Sequence, residues 1–419
     1  MIPHYSTMSR SSNQIAQGCW IGGYGLAGIL LSTLSLLAGP APHPTLAQMK
    51  ATAKREVRLH HKHRAVIALQ RAVAADPHWK LGWWDLADLL YQGRQYPAAA
   101  VAFRRLASLT PKVGLPWAML GLCEFEMRNF ENSLNHIQEG RALGLPNDLN
   151  LQAVVIYHEA QDMLVLEEFD QANFILHSFA VAHKPYPGAI LAFGLAALHL
   201  PLPTEQLNLY FTPRRLRLIR RLGQAEYWAA GKQYGLARQR FEELLRQYPK
   251  TPYLHYAYAE LLKSSGKQSH SEAEFRQELL INPKSVATRL QLAADLMGDG
   301  HQKQAMALAQ AALKLDAGNY AAYYIIGSIY FHQNLFQPAW QATEKSKILM
   351  PNNAQIRYQL AQIDLRLHHM AAARREQQAF LHLRRISSTY MQKGVLPASV
   401  YLKPLQAKQG AHPARPSPS

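Results

Sequence analysis

Apolar positions recur along this chain at helical spacing, and the helices themselves recur. Trp83 and Trp117 mark one interval of that recurrence. Between them Trp83, Leu86, Ala87 and Leu90 share one helical face, a polar loop occupies Gln92 to Gln95, and Ala99, Phe103 and Leu106 mark a second face before Pro111. The pattern predicts a helix, a turn and a second helix. Such a short hairpin cannot bury its apolar face alone, so the period predicts stacked neighbours on both sides. The same period runs through most of the chain. It separates Pro77 from Pro111 and Pro249 from Pro283, while Pro283 and Pro351 are two periods apart with Ala317 midway. Small residues hold one phase at the start of the second helix: Ala65, Ala99 and Ser133, then Ala237, Ser271, Ala305, Ala339 and Ala373. The step from Ser133 to Ala237 is three periods plus two. A bulky residue follows four later at Leu69, Phe103, Ile137, Phe241 and Phe275, so small can interlock with large where the helices meet.

This pattern resembles the tetratricopeptide repeat family, whose signature of about 34 residues sets Trp, Leu-Gly, Tyr, Ala, Phe, Ala and Pro at fixed offsets. Trp117, Leu120 and Gly121 with Ser133 match it, as do Ile326, Gly327 and Tyr330 with Ala339 and Pro351. The resemblance covers roughly residues 46–385 and implies an all-α, right-handed α-solenoid of stacked helix-turn-helix repeats used for binding. Regular units occupy 48–146 and 218–385. Between them, residues 147–217 keep helical periodicity without the signature, broken by HKPYPG at 183–188 and PLP at 201–203, and are expected to form two diverged hairpins. Thr343 and Gln377 stand where the family prefers an aromatic.

The two ends depart from the repeat. Residues 1–47 contain one formal charge, Arg10, and an apolar run from Cys19 to Ala38. This is the pattern of an export signal cut after Ala47, or of a retained membrane anchor, with a buried first helix as the bland reading. The chain is therefore expected to be exported, periplasmic or extracellular, or anchored by that segment. Cleavage would leave Cys123 as the one cysteine, with no internal disulfide and no cysteine metal cluster. Residues 386–419, rich in Pro, Ala and Lys, carry no helical repeat and are expected to form a disordered basic tail.

Composition narrows the chemistry. A formal net charge of +17 favours anionic partners or surfaces. There is no GxSxG elbow, HExxH pair, phosphate loop or dinucleotide fingerprint, and assigning signal, repeats and tail leaves no stretch for a catalytic domain. A non-enzyme without cofactor, metal or small-molecule substrate is expected. Histidines cluster at His60, His61 and His63 and again at His368 and His369. Only His60 and His63 have ligand spacing, and with no third ligand the cluster reads as a solvated basic turn.

Binding is expected on the first helices, which line the concave side in the family. Stepping from Trp83 to the adjoining helical face reaches Trp84, Asp88 and Tyr91. The same phase gives Phe125, then Tyr253, Tyr256, Glu260 and Lys263, then Tyr324, Ser328 and Phe331, and finally Tyr358 and Gln362. An aromatic followed four residues later by a polar group recurs in four units. Such rings suit a partner groove, although amphipathic Tyr also suits half-buried packing between units. The family's clamp for a peptide carboxylate uses Lys and Asn at positions that here hold Trp84 and Asp88, or Tyr256 and Glu260, so an extended peptide or a helix is the expected protein partner. Arg214, Arg215, Arg217, Arg220 and Arg221 form the alternative, a basic helix start for an anionic polymer or a membrane surface, or simply the solvated side of a packed helix.

Overall fold

Each hairpin closes where a small residue lets its two helices approach. Ala65, Ala99, Ser133, Ala237, Ser271, Ala305 and Ala339 have no exposed surface, nor do Leu69, Phe103, Ile137, Phe241 and Phe275 four residues on. The computed structural model describes residues 44–182 and 187–392. Four hairpins come first: α1 and α2 (Leu46–Arg58, Lys62–Ala75), α3 and α4 (Lys80–Gln92, Tyr96–Leu109), α5 and α6 (Gly114–Glu126, Phe130–Leu143), and α7 and α8 (Leu149–Val165, Phe169–Ala182). A single helix, α9 (Pro187–Ala197), and the four-residue α10 (Leu207–Tyr210) follow. Five more hairpins complete the array: α11 and α12 (Pro213–Ala230, Tyr234–Gln247), α13 and α14 (Leu254–Ser264, Gln268–Ile281), α15 and α16 (Val286–Gly298, Gln302–Leu315), α17 and α18 (Tyr320–His332, Phe336–Leu349), and α19 and α20 (Ala354–Arg366, Met370–Gln392). No strand occurs among the described residues. First helices also touch the first helices of neighbouring units, α5 with α7 and α15 with α17, which sets these helices side by side along one face of the α-solenoid.

The turns inside the hairpins share one construction. After the first helix the chain takes a left-handed residue at His60, Arg94, Arg128, Glu167, His199, Lys232, Asn334 and His368, and at Gly266 and Gly300. Hydrogen bonds from Gly93 N to Leu89 O (3.0 Å), Arg94 N to Tyr91 O (2.9 Å) and Gln95 N to Leu90 O (2.9 Å) close one such turn. His60 and His368, singled out in the sequence as histidine clusters, are thus turn residues. A left-handed conformation costs a non-glycine residue about 1–2 kcal/mol, and only two of the ten turns use glycine to avoid it.

Between units a second device repeats. Six residues after the proline that ends one repeat, a side chain returns to that proline's carbonyl: Trp83 Nε1 to Pro77 O at 3.0 Å, Trp117 Nε1 to Pro111 O at 3.4 Å, Gln152 Nε2 to Pro146 O at 2.9 Å and Arg357 Nε to Pro351 O at 3.0 Å. The Arg289 guanidinium makes the same bond to Pro283 O. The carbonyl lies past the end of the preceding helix and lacks an intrahelical donor, so the side chain satisfies it and fixes where the next helix begins. The paired tryptophans that first revealed the period are two members of this series.

The irregular middle differs from expectation. One full hairpin, α7 and α8, is present, but the second is incomplete. Helix α9 ends in the same turn, with Leu198 N, His199 N and Leu200 N bonding Gly194 O, Ala196 O and Leu195 O. No full second helix follows. The PLP stretch runs as irregular chain, tied by Leu202 N to Leu164 O at 3.3 Å, and only α10 stands where a partner helix would be. Helix α11 packs directly on α9 instead. Two glycines permit this: a Cβ at Gly194 would overlap the Ile219 carbonyl, and one at Gly223 the Ile190 carbonyl. The largest buried apolar cluster is centred here, around Phe193, Leu195, Ile219 and Leu222.

The ends shift as well. Helix α1 begins at Leu46, so a cut after Ala47 would fall behind its second residue, and α20 continues to Gln392, beyond the expected end at Arg385. The apolar run from Cys19 to Ala38 and the tail from 393 lie outside the described residues.

Two outcomes are expected. Gly194→Ala should lower unfolding free energy in urea by about 2 kcal/mol or more through backbone overpacking, with Gly235→Ala, where a Cβ meets open space, as the neutral control. Arg94→Gly, Arg128→Gly and Lys232→Gly together should raise the melting temperature by a few degrees, at about 0.5 kcal/mol per relieved turn after the glycine entropy cost. Calorimetry checks the second.

Candidate partner-binding face

The expected groove residues all fall on first helices. Asp88, Tyr91 and Trp84 lie on α3, Phe125 on α5, Tyr256, Glu260 and Lys263 on α13, Tyr324 and Phe331 on α17, and Tyr358 on α19, with Tyr253 immediately before α13. Tyr358 is exposed and the other aromatics are half-buried. Their rings are held by other rings. Trp84 meets Phe103 edge-on at 5.8 Å, Tyr358 meets Phe380 at 5.2 Å, and Tyr256 meets Phe275 at 5.6 Å. Three of them close their own hairpin: Tyr91 on Tyr96, Phe125 on Phe130 and Phe331 on Phe336, at 5.6, 5.6 and 5.8 Å. Among these aromatics Tyr324 alone makes no ring contact, and its half-buried ring packs against the apolar cores of its own and the next unit.

Polar neighbours are treated unevenly along this face. Asp88 accepts a hydrogen bond from Gln92 at 2.8 Å. Ser328 donates to Tyr324 O and accepts from Gln359 Nε2 at 2.8 Å. Around α13 the environment changes. Tyr253 takes a left-handed backbone, its N–H donates to Glu278 Oε1 at 2.6 Å, and its ring stacks on His199 at 4.1 Å. Burial holds the His199 imidazole below its ordinary pKa, favouring the neutral ring, against the opposing charge of Asp170. Burial also raises the Tyr256 phenol well above its usual range, reinforced by Asp170 and Glu260. Lys263 Nζ reaches Asp295 Oδ1 at 2.6 Å. Burial pushes the Glu260 carboxyl up to about 7, countered by Lys263 and reinforced by Asp170, Asp295 and Glu226. Of the expected residues, Tyr253, Tyr256, Glu260 and Lys263 share one unit, Trp84, Asp88 and Tyr91 share α3, Tyr324 and Phe331 share α17, and Phe125 and Tyr358 stand alone on α5 and α19.

The five arginines do not form one exposed face. Arg214 lies over the Tyr248 ring at 5.5 Å, and Arg221 bonds Gln247 at 2.6 Å and Glu243 at 3.3 Å. Arg215 is half-buried, and burial lowers its pKa, while Arg217 and Arg220 are exposed.

A second polar cluster, unanticipated in the sequence, lies between α5, α6 and α7. Glu159 is fully buried and is held by Arg141 and by Gln138 Nε2 at 3.1 Å. Ser133 Oγ donates to Asp162 Oδ2 at 2.6 Å. Burial pushes the Asp162 carboxyl up to about 8, eased by Ser133 and reinforced by Glu159 and Glu124. Cys123, nearby on α5, is buried and free, with its thiol pushed up to about 12 by burial. Among the described residues, no group of three or more His, Cys, Asp or Glu is arranged to hold a metal ion, and no helix is long and apolar enough to cross a membrane.

These features define a repeat protein built from helical hairpins with a continuous first-helix face. The family model described as a tetratricopeptide repeat matches residues 50–113. A search of curated proteins finds no match. Solved structures similar to it include the APC/C hetero-tetramer Cut9–Hcn1 (12% identity, 84% of this chain and 90% of that chain, TM-score 0.36), MamA (14%, 40% and 97%, 0.36) and yeast Tom70 (14%, 83% and 70%, 0.34).

The Asp162 site predicts a pH dependence with a definite sign. A carboxyl whose folded pKa stands above its unfolded value stabilises the fold only while protonated, so stability falls as pH rises from about 4 toward about 8. Asp162→Asn, which keeps an acceptor for Ser133 without the charge, should raise the melting temperature at pH 9 and leave it nearly unchanged at pH 4. Equal effects at both pH values would show that Asp162 is not the titrating group.

Proposed function

We propose that this chain is a non-catalytic protein-interaction scaffold that holds a peptide or helix of a partner protein along the face of its first helices. One observation supports the reading: in one repeat phase Trp84, Tyr256 and Tyr358 are braced by ring contacts and Tyr324 by the apolar core, yet all four keep exposed or half-exposed surface. A braced ring offers contact area with little rotamer entropy left to lose, which is the property of interface hot spots. Export or anchoring at the cell envelope belongs to the same proposal and rests on the apolar run from Cys19 to Ala38.

Twelve-residue peptides selected by display on the full chain provide the test. Tyr324→Ala and Tyr358→Ala together should weaken the selected peptides by several hundredfold, at about 2 kcal/mol per hot-spot truncation, with helical content unchanged by circular dichroism. Unchanged binding would place the partner site elsewhere. For localisation, residues 1–47 fused to a reporter phosphatase that works only after export should give active reporter; an inactive one would remove the envelope assignment.

A further inference from the structure

Where a full second helix would follow α9, the chain builds an exposed elbow of apolar and basic residues instead. Its construction is local. Leu209 N and Phe211 N donate to Gln206 O and Leu207 O at 3.0 and 2.9 Å and close the single turn of α10. Leu207 and Phe211, four apart, both pack on the largest apolar cluster, which turns the residues between them outward. Leu209 is accordingly 69% exposed and Tyr210 40%. Thr212 then caps α11, its Oγ1 accepting from Arg215 N at 3.2 Å, so the basic helix starts directly behind this apolar tip.

Arg215 and Arg221 are half-buried, but Arg214, Arg217 and Arg220, spaced three apart on α11, are exposed. The bond from Arg221 to Gln247 and the stacking of Arg214 on Tyr248 hold the end of α12 against the first half of α11. Exposed Arg246 and Lys250 come with it. Acids do not balance these cations. Residues 205–221 contain five arginines and one acid, Glu205, and Glu243 is already shared between Arg221 and Arg240.

Singly exposed leucines are ordinary on a protein surface. Here an adjacent leucine and tyrosine are pinned outward by the buried residues on either side of them and bordered by cations. A dissolved polyanion would meet the arginines and leave Leu209 in water. A bilayer surface with anionic headgroups meets both, because phosphates match the guanidinium forks, the acyl boundary takes the leucine, and tyrosine favours the interface between them.

We propose that the elbow from Leu209 to Arg220 is a membrane-surface docking element, in which Leu209 and Tyr210 enter the headgroup layer of an anionic phospholipid bilayer and Arg214, Arg217 and Arg220 meet its phosphates. This goes beyond the groove reading and does not rest on it.

The test uses the full chain with vesicles of phosphatidylcholine, with and without phosphatidylglycerol. The apolar run from Cys19 to Ala38 is itself expected to hold a bilayer, so the readout must be local. A benzophenone amino acid in place of Asn208, exposed beside the tip, should crosslink to lipid in the anionic vesicles. The same group in place of Leu236, 51% exposed at the other end of α12, should not. Arg217→Gln with Arg220→Gln should cut the crosslinked fraction by about tenfold or more, as expected for two basic residues near an anionic surface. Leu209→Ser with Tyr210→Ser should cut it as well, and both pairs should leave the melting temperature unchanged. Equal crosslinking from the two positions, or with neutral and anionic vesicles, would overturn the docking element. Loss on changing the arginines but not on changing Leu209 and Tyr210 would also overturn it, and would leave a site for a soluble polyanion.

Discussion

Close approach of two helices at a small residue is the constraint on which the rest of the structure depends. A hairpin of two short helices has too little apolar surface to hold itself together, and stability comes from packing against neighbours. That packing repeats only if each hairpin presents the same shape. Ala65, Ala99 and the fully buried Ser133 fix that shape by setting the distance between their two helices, and Leu69, Phe103 and Ile137 fill the space this leaves. Where the bulky position is lost, the opposing residue compensates. Thr343 is fully buried opposite Gly327 and returns its hydroxyl to Ala339 O at 2.8 Å.

The proline carbonyls extend the constraint from one unit to the next. A side chain six residues on closes each of them, and the donor can be an indole, an amide or a guanidinium. The geometry needs a long N–H donor at that place and does not specify which, so the residue type varies while the position and the structure do not. The same logic applies at the hairpin turns, where a left-handed residue is required and most units meet the requirement without glycine. Face and function follow from this regularity, because side chains at one repeat position fall on one side of the array.

The hairpins were legible because proline, small and bulky residues keep a fixed phase, and phase survives without any knowledge of contacts. The first-helix aromatics were legible for the same reason, as one helical face next to the packing tryptophan. The incomplete unit at α9 was not. Its turn is ordinary, and the loss of its second helix becomes visible only when α11 is found against α9 through Gly194 and Gly223, two glycines with no repeat signature between them.

The backbone contact between α9 and α11 changes how the array holds together under load. A linear stack linked only to nearest neighbours comes apart at its weakest joint, and in a uniform stack any joint will serve. Here two regular runs meet at a rivet made of glycines, in the middle of the largest apolar cluster. Pulling or denaturant is therefore expected to peel units inward from α1 and from α20, with the central block the last to open. The irregular segment, which looks like decay of the repeat, is the clasp that joins its two halves.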